Sequence, residues 1–375
     1  MEYGWTGELL WKNRYFVLKK SKNLLVHTKL NVICSSEFPR QELDIVASEY
    51  AYHPNLLRQV LQKGYVFFTT RGVVERFAAC ATIHVNPWVA QLDRICLIPG
   101  NHSIRILEID SDMCTVVLKR GYRKEYLLNE INIRTRFPQL KIPILRGAQA
   151  DSLLYREQRI RGVPINRIGD KRIVDRITRE AINELKSLYT ASNSKVDFVF
   201  YVDHLRLSIL DAIGKLPAIY SKDDRQKYEE IVDGLTACLN NVENRELITA
   251  LTHGDFQSAN ILYAEHDTKN SFYLIDWEYS KVRFILYDLF VFYFCTRSPL
   301  GLAERLKQVT HYQNEHPFLH SVTKDFQLPM PTRSDVFVCI LEDFLLRLEE
   351  LDIPQSRLKN KGLEQFVAEV KVILW

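Results

Sequence analysis

The spacing of apolar side chains changes twice along the chain. Up to about residue 90 they form short strand-like runs, Tyr15–Leu18, Leu24–His27 and Tyr65–Thr70, with a helix expected after Pro54 and a break at Pro87-Trp88. From 91 to 157 the pattern reads strand, turn, strand, strand, helix, strand: L-D-R-I-C-L-I, P-G-N-H-S, I-R-I-L-E-I and C-T-V-V-L-K, then a helix from about Arg123 to Arg136. Pro138 and Pro143 stop that helix, and S-L-L-Y-R-E closes the region as another strand. From 158 onward steps of three and four dominate, through Ile173, Ile177, Ala181, Leu185 and Leu188, then Ile231, Leu235, Cys238 and Val242. Two late helices are expected through Ile340–Leu351 and Leu363–Ile373. The apolar window Phe284–Cys295 predicts a buried helix, too short for a bilayer and holding Asp288. One β-rich interruption, Leu251–Glu278, breaks the helical part. The expected class is α+β, with an extension of unread role over 1–90, a small antiparallel β lobe with one helix over 91–157 and a mainly helical lobe over 158–375.

Composition alters this picture little. With 46% hydrophobic and 26% charged residues the 375-residue chain is ordinary globular protein, long enough for a two-lobed enzyme. A net charge of +4 is far from the dense basic surface of a general nucleic-acid binder, so none is expected as partner. Seven scattered cysteines, without a C-x-x-C, suggest reduced thiols and a cytoplasmic setting. The start M-E-Y-G-W-T-G-E lacks the pattern of a signal peptide, and no transmembrane segment is expected. Cys80-x-x-x-His84 has no second pair to complete a metal site. Lys12, Arg14, Lys19, Lys20 and Lys22 read as a solvated strand face before an anionic-surface patch.

The interruption carries the chemistry. L-T-H-G-D-F-Q-S-A-N-I-L-Y and S-F-Y-L-I-D-W-E, joined by a polar stretch, predict a β-hairpin with Thr268 in its turn. Asn260 and Asp276 then share the open end, and an amide and a carboxylate oxygen there are hard ligands of the kind Mg²⁺ takes. Asp255 lies on the loop entering the same end. One Asp beside a metal-binding Asn and Asp matches the parts of kinase-type phosphoryl transfer.

At these residues, H-G-D-x-x-x-x-N followed by I-D-W, the sequence resembles the aminoglycoside phosphotransferase and choline kinase group of small-molecule kinases, over roughly Leu92–Leu289. The resemblance implies a bilobal protein-kinase-like fold and a phosphotransferase using ATP and Mg²⁺ on a hydroxyl of a small molecule. Asp255 would be its base, Asn260 and Asp276 its metal ligands, and Lys119, ending V-V-L-K, its phosphate clamp. Glu130 would pair with Lys119, Glu125 being the competitor; Gly100 and Ser103 would belong to the phosphate-covering turn, which here has a single glycine. Backbone from Gln158 to Ile160 would bind adenine. His253 would brace the loop, Asp288 support it, and Glu278 either touch a second metal or face solvent. Family members with an I-D-W-E-Y-like segment include proteins encoded among bacterial surface-polysaccharide genes, which points to a sugar or glycan acceptor. An aminoglycoside acceptor, or a kinase-fold binding protein without turnover, are the alternatives. A protein kinase is disfavoured, because H-G-D and I-D-W stand where H-R-D and D-F-G would.

Overall fold

The structure, a computed structural model, describes residues 22–27, 30–35, 37–39, 41–43, 56–69, 81–85, 92–239, 245–265, 271–311, 323–324, 326, 332–351 and 356–374. The strand expected at Tyr15–Leu18, the Pro87-Trp88 break, Cys80, Thr268, Val242 and the basic residues Lys12, Arg14, Lys19 and Lys20 lie outside them. The chain divides into two compact units.

The first unit takes the described residues up to Arg120 together with Pro143–Arg161. It is built on β1 (Lys22–His27), β2 (Val32–Ser35), helix α1 (Leu56–Thr69), β3 (Ala81–Val85), β4 (Ile95–Pro99), β5 (Ser103–Glu108), β6 (Met113–Leu118), β7 (Leu145–Gln149) and β8 (Leu154–Gln158). The strands form one sheet in the order β3-β1-β2-β4-β5-β6-β8-β7, with every neighbouring pair antiparallel. Strand alternation sorts its side chains: Val32, Cys34 and Cys96 pack on one face, Leu24, Val26 and Ile33 on the other with Ile95 and Leu97. Because β2 pairs with β4 through Ile33↔Leu97 and Cys34↔Cys96, the sheet runs across the boundary expected at residue 90.

The run Tyr65–Thr70, expected as a strand, is the end of α1 up to Thr69. Consecutive apolar residues fit either period, and here the helix begun after Pro54 continues through them. Val66 reaches the core, whereas Phe67 and Phe68 are exposed.

The second unit comprises Gly121–Ile142 and Gly162–Trp375. Its elements are α2 (Lys124–Arg136), β9 (Val163–Pro164), α3 (Lys171–Ser192), β10 (Ser194–Asp197), α4 (Phe198–Gly214), α5 (Lys222–Leu239), β11 (Glu246–Thr252), β12 (Ile261–Tyr263), β13 (Phe272–Leu274), β14 (Lys281–Phe284), α6 (Tyr287–Phe294), α7 (Leu302–His311), α8 (Arg333–Glu349) and α9 (Ser356–Leu374). Thus the small-lobe helix expected beside the sheet clusters with the helical unit instead. Aspartates start two helices: Asp170 accepts from Arg172 N–H, and Asp197 from Phe200 N–H at 2.9 Å, caps worth about 1 kcal/mol each. Helix α8 is buried on nearly every side, from Phe337 to Leu348, and packs against α4 and α5. Two small sheets, β10-β11-β14 and β13-β12-β9, sit among these helices. The window Phe284–Cys295 is divided: β14 ends at Phe284, and the buried helix is the shorter α6, stopped by left-handed Cys295 at φ 46°.

Candidate functional site

The expected hairpin forms, but its register, Ile261↔Leu274, Leu262↔Tyr273 and Tyr263↔Phe272, is one residue out of the one centred on Thr268. Asn260 therefore precedes the first strand and Asp276 follows the second at one end, where Ile275 N–H donates to Asn260 O at 3.0 Å. Asp276 holds a left-handed backbone, φ 63° and ψ 58°, which costs an L-residue roughly 1 kcal/mol or more. Fully buried Trp277 follows it, its Nε1 donating to Leu274 O at 3.3 Å.

The H-G-D turn is held from below by Asp288, in the first turn of α6. This carboxylate, 0% exposed, accepts from His253 N–H at 2.7 Å, Gly254 N–H at 2.8 Å and the Tyr189 hydroxyl at 2.8 Å. Gly254 is required twice over. Its φ is 84°, and a Cβ there would strike the Tyr279 carbonyl. His253 is fully buried, and burial pushes its imidazole below the usual histidine range. Its Nδ1 accepts from Asp255 N–H at 3.3 Å, which leaves Nε2 as the donor to Ile275 O at 2.9 Å. A neutral ring thus ties the loop to the end of β13, a brace and not a base.

Asp255 stands on this platform with its carboxylate fixed on both oxygens. Oδ1 accepts from Arg297 Nε at 2.6 Å; Oδ2 accepts from Gln257 Nε2 and from Asn260 Nδ2, each at 3.0 Å. Burial raises the affinity of this carboxyl for its proton, and Arg297 opposes that. Arg297 was not legible in the sequence: C-T-R-S matches no pattern, and its partner lies 42 positions away in the chain. Gln257 sits inside the H-G-D-x-x-x-x-N motif at a position the pattern leaves open.

Asn260 is 6% exposed, and its amide nitrogen also donates to Asp255 O at 2.9 Å. Its Oδ1 is consequently turned away from the loop and meets no donor among the described residues. Among the described residues no group of three or more His, Cys, Asp or Glu could hold a metal ion. Glu278 lies in the turn Trp277–Tyr279, not on a strand, and its carbonyl accepts from Asn129 Nδ2 at 2.8 Å.

The other candidates divide between the units. In the first, Lys119 is 4% exposed; its N–H donates to His102 O at 2.9 Å and its Nζ to the carbonyls of Gly100 and Asn101. Gly100 N–H in turn donates to Ser103 O at 2.9 Å, so Lys119, Gly100 and Ser103 do meet around one turn. On the strand leading out of the sheet, Gln158 N–H donates to Ile144 O and Arg159 N–H to Asp112 O, leaving Ile160 N–H without an acceptor among the described residues. In the second unit Glu130 is buried and accepts from Arg134 one turn on, whereas the half-exposed Glu125 faces Arg123.

Among the described residues no helix is long and apolar enough to cross a membrane. No curated protein matches the chain. Similar solved structures include a choline/ethanolamine kinase family protein from Mesorhizobium loti, 14% identical, covering 76% of this chain and 95% of that one at a TM-score of 0.42. An ethanolamine kinase from Plasmodium vivax is 13% identical over 92% of this chain and 97% of its own, TM-score 0.46. The streptomycin–ATP ternary complex of APH(2")-IIa is 15% identical over 74% and 92%, TM-score 0.45. Residues 179–317 match the family model of the ecdysteroid kinase-like family, and that stretch encloses Asp255, Asn260, Asp276, Asp288 and Arg297: it is to this family that the site-bearing part of the chain is similar.

Proposed function

We propose that the chain is a small-molecule kinase, transferring the γ-phosphate of ATP to an alcohol hydroxyl with Mg²⁺. The observation that carries the reading is Asp255, gripped through both oxygens and bonded to Asn260, at the same hairpin end as Asp276. Phosphoryl transfer asks a protein mainly for positioning and for neutralising charge on the β- and γ-phosphates. Asp255 orients the acceptor hydroxyl and takes its proton; Asn260 and Asp276 would hold the metal, which would supply the charge neutralisation. Lys119 clamps the phosphates beside the Gly100–Ser103 turn, and the Gln158–Ile160 backbone, through Ile160 N–H, receives adenine. The ecdysteroid kinase-like match and the kinases among the similar structures agree with a hydroxyl acceptor, and the I-D-W-E-Y segment favours a sugar or glycan.

The test is direct. Thermal melting with and without Mg-ATP, followed by an ATP-consumption screen over sugars, glycans, choline, ethanolamine, streptomycin and an ecdysteroid, is expected to show Mg-dependent stabilisation and turnover with a sugar hydroxyl. Stabilisation by Mg-ATP without turnover on any acceptor would leave a nucleotide-binding protein, and neither effect would remove the kinase reading altogether.

A further inference from the structure

The side chains around Asp255 distinguish its two oxygens. A carboxylate offers about four lone-pair sites, two on each oxygen. Oδ2 uses both, on Gln257 Nε2 and Asn260 Nδ2; Oδ1 has one bond, from Arg297 Nε, among the described residues. The open site is therefore on Oδ1.

Arg297 is itself pinned. Its Nη2 donates to Gly254 O at 2.7 Å, and its Nη1 lies 3.6 Å from Asp343 Oδ1 on α8. Asp343 is 0% exposed and is held by Arg347 Nε at 2.9 Å and the Tyr287 hydroxyl at 3.1 Å. Arg347 also donates to Thr296 O at 2.5 Å, fixing the backbone next to Arg297. A planar fork bound along two edges cannot rotate without breaking several bonds at once.

Resting on the kinase reading, we infer that Arg297 is a positioning residue that orients Asp255 so that Oδ1 receives the acceptor hydroxyl. A hydroxyl-oxygen lone pair forms the bond to the γ-phosphorus. The bond from that phosphorus to the bridging oxygen breaks, its pair leaving on ADP, and the hydroxyl proton passes to Oδ1. Arg297 reacts with nothing; it keeps the receiving oxygen aimed, and through Asp343 and Arg347 it makes α8 the support of that aim.

The experiment is a double-mutant cycle. R297A, R297K, D255A and D255A/R297A are assayed by transfer of labelled γ-phosphate to the best acceptor of the screen and to water, with Mg-ATP affinity measured in parallel. R297A should lower kcat by about 10²-fold, within the range attributed to a positioned general base, while KM for ATP stays within about three-fold. R297K should recover only part of the loss, since an ammonium cannot reproduce the Nε and Nη2 fork. In the D255A background R297A should add less than about two-fold, because the two act as one unit. Independent, multiplying losses in the double variant would mean that Arg297 acts on stability alone and would overturn the inference, as would wild-type turnover in R297A or full activity in R297K. If R297A does not fold, R297K and its D255A double decide. A wild-type chain inert toward every acceptor and water removes the kinase reading and this role with it, an outcome distinct from an active wild type indifferent to Arg297.

Discussion

Asp255 and Asp288 serve the same loop, and they are held in opposite ways. Asp288 takes two main-chain N–H groups and a tyrosine hydroxyl at 0% exposure; Asp255 takes only side chains, from Arg297, Gln257 and Asn260. Main-chain donors cannot turn unless the loop itself unwinds, so Asp288 decides where the loop lies. Side-chain donors can aim a carboxylate and still leave a lone pair open, as they do on Asp255. The difference separates a fully buried acid tied to the main chain from a partly exposed one that keeps a lone pair open, although both belong to the same loop.

The largest separation should come from rate. D255A is expected to lower phosphoryl transfer by about 10² to 10⁴ with Mg-ATP affinity within a few-fold, whereas D276A should abolish Mg-dependent nucleotide binding itself. Titration calorimetry beside turnover checks both; equal loss of binding and turnover in D255A would place Asp255 on the nucleotide. Next in size, D288A strands three buried donors at about 1–3 kcal/mol each, so a loss of roughly 3–5 kcal/mol is expected in denaturant titrations without nucleotide. An unchanged midpoint would break the contrast.

Another acid sharpens it. Glu342 on α8 accepts from Phe284 N–H at 2.8 Å and from the Tyr201 hydroxyl, and burial pushes its carboxyl from 4.5 up to about 7. The folded chain then keeps a proton that the unfolded chain has released. The contribution is fully present below about pH 4.5 and is lost as pH rises through about 7, at up to roughly 1.4 kcal/mol per unit. E342Q mimics the protonated form, and melting between pH 5 and 8 should show a shallower decline than the wild type. An identical decline in both would assign the slope to other groups.

Much of this was readable in the chain because it is local. The hairpin is two apolar runs about a polar stretch, the strand V-V-L ends at Lys119, and H-G-D with its Asn occupies eight consecutive residues. Helix α4 is harder to read because F-V-F-Y-V at its start is apolar at every step and blurs the stripe of Val202, Leu205, Ile209 and Ile213. Tyr65–Phe68 misled for the same reason. Arg297 and Asp343 carry no local signal at all: their meaning exists only once α6 and α8 bring together positions distant in sequence. The pairing of β2 with β4 across residue 90 is equally silent, since a β-strand does not announce in its own sequence which strand it will pair with.

The hairpin has one more consequence, for how relatives of this chain would be recognised. Its two strands are locked at the Asn260 end by the Ile275–Asn260 backbone bond and at the far end by Ala264 N–H donating to Ser271 O at 3.0 Å. Changing the number of residues between those two bonds would cost little in closure entropy, about 0.6 kcal/mol for each doubling of the interval. A search that demands one fixed spacing from Asn260 to Asp276 would then pass over chains that carry the same two residues about a longer or shorter interval.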